Sequence, residues 1–312
     1  MQVIAASFSA VFPLLCFMAL GLMLGRIGLV TRETADILSS LVFRVFLPMS
    51  IIENIAGADL NGQFDLKCAL FVGISCVCTY IFLEMRQRRR SDPDDIAPVI
   101  VQGIHKANYS LLVVPVVSAF YPRDLGMSAV LVAVITPIVN TCSTLSFVSR
   151  SDRKEPAGKL LSRIIRNPMV LSSLAGILLN LSGIRIPALL MNKVVDPLAG
   201  VATPLAMMAL GASFEFGEMS SYRRELARVC TGKLILMPLV LCTAAALLGI
   251  RGADLITVLV YSGAPTAVNS YSTAVSMGGN GTLAGQIVAL SSALSILTLF
   301  CWLCALGALG LI

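Results

Sequence analysis

"YSGAPTAVNSYSTAVSMGGN", Tyr261 to Asn280, decides how this chain is read. A helix serving only as a membrane anchor has no use for Pro265 at its centre. Nor does it need Ser262, Thr266, Asn269, Ser270, Tyr271, Ser272 and Thr273 around that proline. A mid-helix proline removes one backbone hydrogen bond and clashes with the preceding turn. In hydrocarbon the freed carbonyl finds no water, so such a break persists only where protein or a wet cavity surrounds it. The stretch therefore points to the interior of a membrane protein, and to a site there.

The rest of the chain supplies the membrane. Of 312 residues, 57% are hydrophobic and 13% charged, about half the charged fraction of a soluble domain. That is too few to cover a water-facing surface. Apolar runs long enough to cross about 30 Å of hydrocarbon as helix occur ten times, at about 3–25, 34–57, 66–85, 97–121, 124–148, 167–184, 189–214, 229–249, 254–278 and 281–310. The runs are continuous rather than alternating, which favours helices over a barrel. The first has no basic flank and exceeds the apolar core of a signal peptide, so it counts as a span.

Basic residues orient the chain. Arg86, Arg88, Arg89 and Arg90 follow span 3, and Arg150, Arg153, Lys154, Lys159, Arg163 and Arg166 follow span 5. The loops after even-numbered spans carry few, such as Lys67, Arg123 and Arg251. Positive residues stay inside, so the odd loops are cytoplasmic and both termini external. No aromatic or fold signature of nucleic-acid binding accompanies the basic runs; they read as loop ends touching anionic headgroups.

Other chemistry finds no support. The nine cysteines lie almost wholly in apolar runs, where cysteine is a small hydrophobe. The single histidine excludes a two-histidine zinc motif, and no nucleophile-elbow motif is present. No metal, cofactor or enzymatic activity is expected.

The two halves look alike. Pro13 is followed by Gly21, Gly25 and Gly28, and Pro168 by Gly176, Asn180 and Gly183 at the same spacings. Pro48 in span 2 pairs with Pro204 in span 7, and Pro115 in span 4 with Pro265 in span 9. The expected organisation is a five-helix repeat at 1–148, a cytoplasmic linker at 149–166 and a second five-helix repeat at 167–312. An odd number of spans per repeat inverts the second copy, the architecture of secondary transporters with midplane sites at discontinuous helices. Span 4 breaks near Pro115, with Asn108, Tyr109 and Ser110 before it; span 9 breaks at Pro265. The competing reading is two kinked helices whose hydroxyls bond their own backbones.

"FPLLCFMALGLMLGRIGLV", "VFRVFLPMSIIENIA", "RNPMVLSSLAGILL", "ATPLAMMALGASF" and "SGAPTAVNSYSTA" together resemble the auxin efflux carrier family, within the bile acid/auxin carrier superfamily. The resemblance covers essentially the whole chain. It implies an all-α membrane protein of ten transmembrane helices, a five-plus-five inverted repeat whose broken helices 4 and 9 cross. It further implies a mobile unit from spans 3–5 and 8–10, and a scaffold from spans 1, 2, 6 and 7 that dimerises through helices 2 and 7. The substrate so implied is a small organic anion, a mono- or dicarboxylate, moved by elevator-type alternating access. The family's two site asparagines fall on Asn108 and Asn269, with Tyr109, Ser110, Pro115, Pro265, Thr266 and Ser270 beside them. The chain lacks the glycines common between the span 4 asparagine and proline. It also has no acidic residue after Asp254, which argues against the sodium coupling of bile acid relatives. The short central loop resembles bacterial members, implying a bacterial plasma membrane.

Two further residues are candidates for an anion or proton role. Arg44 lies within span 2, where an arginine is costly unless it faces protein or water; snorkelling or pairing with Asp36 serves equally well. His105 is placed to relay a proton or to be a hydrogen-bonded structural histidine. A membrane-embedded receptor that binds the same anion without moving it is the rival function.

Overall fold

The computed structural model describes residues 2–56, 65–90, 92–121, 126–151, 162, 166–184, 186–214 and 219–312. Most of the 149–166 linker, Lys154 included, and Arg185 lie outside the described residues, as do the side chains of Ser110 and Pro115.

Among the described residues the named elements are all helical. They are α1 (Gln2–Arg26), α2 (Arg32–Ala56), α3 (Leu66–Arg90), α4 (Ala97–His105), α5 (Tyr109–Ser118), α6 (Gly126–Ser151), α7 (Pro168–Ser182), α8 (Ala188–Ala212), α9 (Arg223–Leu247), α10 (Gly252–Gly263), α11 (Asn269–Ser276) and α12 (Gly281–Ala308). Among the described residues five of these, α2, α3, α8, α9 and α12, are long and apolar enough to cross a bilayer unaided. Helix suits such sequence because it satisfies each backbone polar group within the segment. The ends are fixed locally. The side chains of Thr31, Asn167 and Asn280 accept backbone N–H bonds at the starts of α2, α7 and α12, and Gly183, at φ 67°, closes α7 in the left-handed region.

Prolines within three long helices are absorbed rather than breaking them. Wide π turns at Val42–Phe46, Met191–Val195 and Gly232–Leu236 each end two residues before a proline: Pro48, Pro197 and Pro238. A proline ring collides with the carbonyl four residues back and offers it no N–H. One i→i+5 turn shifts the ladder past that position. In this respect Pro48 matches Pro197, not Pro204, which sits inside α8 without such a turn.

The helices pack around two cores, each drawn from both halves of the chain. The larger unites buried residues of α3, α4, α5, α6, α9, α10 and α12, such as Val72, Ile100, Leu131, Val229 and Leu259. The smaller unites α1, α2, α7 and α8 with parts of α11 and α12, through Leu14, Phe43, Ile51, Met169 and Met207. In the smaller core the glycines let backbones touch. A Cβ on Gly21 would lie 2.1 Å from the Met208 carbonyl oxygen, and one on Gly211 2.0 Å from that of Met18, so α1 and α8 lie backbone to backbone. Gly176 on α7 instead makes room for the Ile55 side chain of α2, which a Cβ there would meet at 2.9 Å.

Candidate functional site

Two interruptions of the helices meet inside the protein. The first, Lys106–Asn108, separates α4 from α5; the second, 264–268, separates α10 from α11. They pair as a short antiparallel bridge between Ala107 and Thr266. The Asn108 N–H donates to the Pro265 carbonyl at 2.8 Å, and the Ala267 N–H to the Lys106 carbonyl at 3.0 Å. Each break thus supplies partners for polar groups that the other leaves open, which lipid cannot do.

The surroundings complete the accounting. Thr266 donates its hydroxyl to the Gly103 carbonyl at 2.7 Å and receives the Ser291 hydroxyl oxygen at its own N–H, at 3.1 Å. Gln102 donates from its side-chain amide to the Ser270 carbonyl at 2.9 Å. The Tyr261 carbonyl would ordinarily bond the N–H of residue 265, which proline lacks. The buried Lys233 of α9 donates to it instead, at 3.3 Å. A cation at this helix C-terminus also suits the local dipole.

The second break falls where the sequence puts it. Pro265 cannot continue α10, and Ala264 before it is extended, at φ −63° and ψ 154°. The first does not fall near Pro115, which lies within α5. It comes earlier, where Lys106 is extended at φ −89° and ψ 103°. Long-range pairing with the second break, rather than a local helix breaker, holds it open.

Beside the bridge is a polar cavity of ≈ 140 Å³, lying between the two cores. Lys106, Asn108, Tyr109 and Asn269 line it from the breaks, Thr136 and Asn140 from α6, Ser50 and Asn54 from α2, and Thr203 from α8. The N-termini of α5 and α11 lie at this junction and bring partial positive charge to it. Of the predicted site residues, Asn108, Tyr109 and Asn269 line the cavity. Thr266, Pro265 and Ser270 are buried in the bridge's support and do not.

Arg44 and His105 are not among its lining residues either. Arg44 is exposed on the π turn of α2, as a snorkelling residue would be. His105 is buried, its Nε2 3.0 Å from the Cys76 carbonyl and 3.3 Å from the Cys76 sulfur, and its ring edge-on to Tyr80. It ties α4 to α3. Sequence reasoning missed Lys106, Asn140 and Lys233 as partners of the breaks. The available signal was a polar or charged residue inside an apolar run, in "GIHKANY", "TPIVNTC" and "TGKLILM".

A family model described as "membrane transport protein" matches residues 6–303. The chain belongs to that family. It is the family of bile acid and auxin efflux carriers that the sequence resembles. An uncharacterised transporter of Methanothermobacter thermautotrophicus is 22% identical over 308 residues, covering 96% of this chain and 99% of that protein. This family member is a transport protein rather than an enzyme, and an integral membrane protein.

Proposed function

We propose that this family member is a secondary transporter of a small organic anion, working by elevator-type alternating access at the paired breaks of helices 4 (α4–α5) and 9 (α10–α11). The observation that carries this reading is the polar cavity between the two cores. Asn108 reaches it from a helix of the larger core and Asn269 from the start of α11, which packs on both cores, while Ser50, Asn54 and Thr203 close it from the smaller. Movement of one core against the other would carry a ligand held at the breaks past the fixed face.

The remaining architecture is proposed with it: halves at 1–148 and 167–312, inverted around the 149–166 linker, in a bacterial plasma membrane. Reciprocal packing supports the inversion, since α1 lies on α8 as α7 lies on α2. So do the matching π turns before Pro48 and Pro197. A homodimer through α2 and α8 leaves the α1–α8 glycine contact as the packing behind that interface, and native mass spectrometry in mild detergent reads it directly. With external termini, cysteine labelling should find positions near Arg88 and Arg223 cytoplasmic and Gly252 outside; a cytoplasmic C-terminus would break the inverted repeat.

Proteoliposome counterflow tests the transport reading. Saturable exchange of a carboxylate identifies a carrier, and binding without flux identifies a receptor. Asn108→Ala and Asn269→Ala should each weaken binding by about 1–3 kcal/mol, the value of a hydrogen bond to a charged group, with melting temperature nearly unchanged. If affinity falls only in step with lost stability, the site lies elsewhere.

A further inference from the structure

Lys106 is 2% exposed and lines the cavity, yet its ammonium has no hydrogen-bond partner among the described residues. Its backbone cannot turn away, because its N–H bonds Gln102 and its carbonyl accepts from Ala267. The side-chain amide nitrogens of Asn108 and Asn140 are likewise buried and unpartnered, as is the side-chain oxygen of Asn269. Among the described residues no aspartate or glutamate lines the cavity, and Lys106 is the one cation that does.

An isolated buried ammonium is among the more costly things a protein can keep. Here it stands with two free amide donors near two helix N-termini, a field that only an anion neutralises. We infer that Lys106 is the counter-charge of the substrate and sets its class: a short-chain monocarboxylate. This rests on the transport reading above and sharpens it.

Charge and size both select that class. One cation matches one carboxylate. Leu47, Ile135, Val139, Ala202 and Ala206 form much of the apolar part of the wall, which suits a hydrocarbon tail and would leave a second carboxylate unpaired. A volume of ≈ 140 Å³ is close to that of an engineered cavity that accepts benzene, about 150 Å³. That leaves room for about six non-hydrogen atoms, as in butyrate.

The test is counterflow of labelled butyrate in proteoliposomes of the full chain, competed with acetate, propionate, valerate, succinate and the uncharged butyramide. Wild type should favour the short monocarboxylates over succinate and butyramide. Lys106→Met should raise the half-saturation for butyrate roughly tenfold to a hundredfold, the loss of one charge-assisted contact, and leave butyramide unchanged. Lys106→Arg should retain much of the butyrate preference. Ligand-free Lys106→Met should also melt higher, by roughly 2–4 °C or more, because the unpaired charge is gone; a lysine retained for packing alone would give the opposite. The inference is overturned if succinate is preferred, if none of the short monocarboxylates is carried, or if Lys106→Met keeps the butyrate preference. Should succinate flux be lost in Asn108→Ala, the cavity stands and only the inference falls. Butyrate flux indifferent to Asn108→Ala would sink the cavity itself.

Discussion

Glu84→Gln should destabilise the protein by about 3–5 kcal/mol, the cost of stranding a buried charge by removing its partner. The Arg150 guanidinium lies 2.6 Å from the Glu84 carboxylate, with side-chain exposures of 8% and 11%. Ser146 donates its hydroxyl to the same carboxylate at 3.0 Å, so the pair clamps the end of α3 to the end of α6. Arg88 also meets Glu84, at 3.2 Å, but its side chain is 64% exposed. Arg88→Ala should therefore change little, as exposed ion pairs do. Replacing Glu84 and Arg150 together by leucine and methionine should recover most of the loss, because no lone charge remains. Thermal melting in mild detergent checks the series. Equal losses for Arg88→Ala and Glu84→Gln would mean that the clamp contributes nothing beyond surface charge.

Gly21→Ala and Gly211→Ala should each cost at least about 2–3 kcal/mol, at the upper end for overpacked contacts. The added methyl would stand 2.1 Å from the Met208 carbonyl oxygen in the first case and 2.0 Å from the Met18 carbonyl oxygen in the second. Both obstacles are backbone, so relief requires α1 and α8 to part along their length. Gly73 and Gly200 supply the control, since a methyl there meets nothing within 4 Å and alanine gains helix propensity. The yield of folded protein and its melting temperature read the effect. Substrate affinity of the fraction that folds should be unchanged, because neither glycine lines the cavity. A Gly21→Ala protein that melts like wild type would contradict the close approach of α1 and α8.

These two contacts sit in different cores, and that separation matters for the proposed movement. The Glu84–Arg150 pair joins α3 to α6 in the larger core, which holds α4, α5 and α10 of the broken helices, while the glycines bring α1 against α8 in the smaller. Among the described residues, the cavity between them mixes amides, hydroxyls and one cation with apolar side chains such as Leu47, Ile135 and Val139.

Several features were legible in the sequence because they follow from local chemistry. Membrane residence followed from too few charges to cover a surface. The break before α11 followed from Pro265, since no proline can donate the missing bond, and the break brought Asn269 with it. Asn108 was reached through a resemblance of motifs, and the cavity contains it.

What the tertiary structure decided has one physical source: the partner that satisfies a polar group is not a property of the polar group's neighbourhood in sequence. Pro115 reads locally as a helix breaker, yet it stays within α5. Lys106–Asn108, with no proline or glycine, stays open because Pro265 and Ala267 bond it from the far end of the chain. Lys233 reads as a charge out of place in an apolar run until α10 presents the carbonyl that Pro265 leaves unpaired. His105 reads as a proton relay or a hydrogen-bonded structural histidine, and only the fold brings the Cys76 carbonyl of α3 to its ring. Lys106 reads as a cation within span 4, and only the meeting of two breaks between two cores buries it in a cavity with no partner among the described residues.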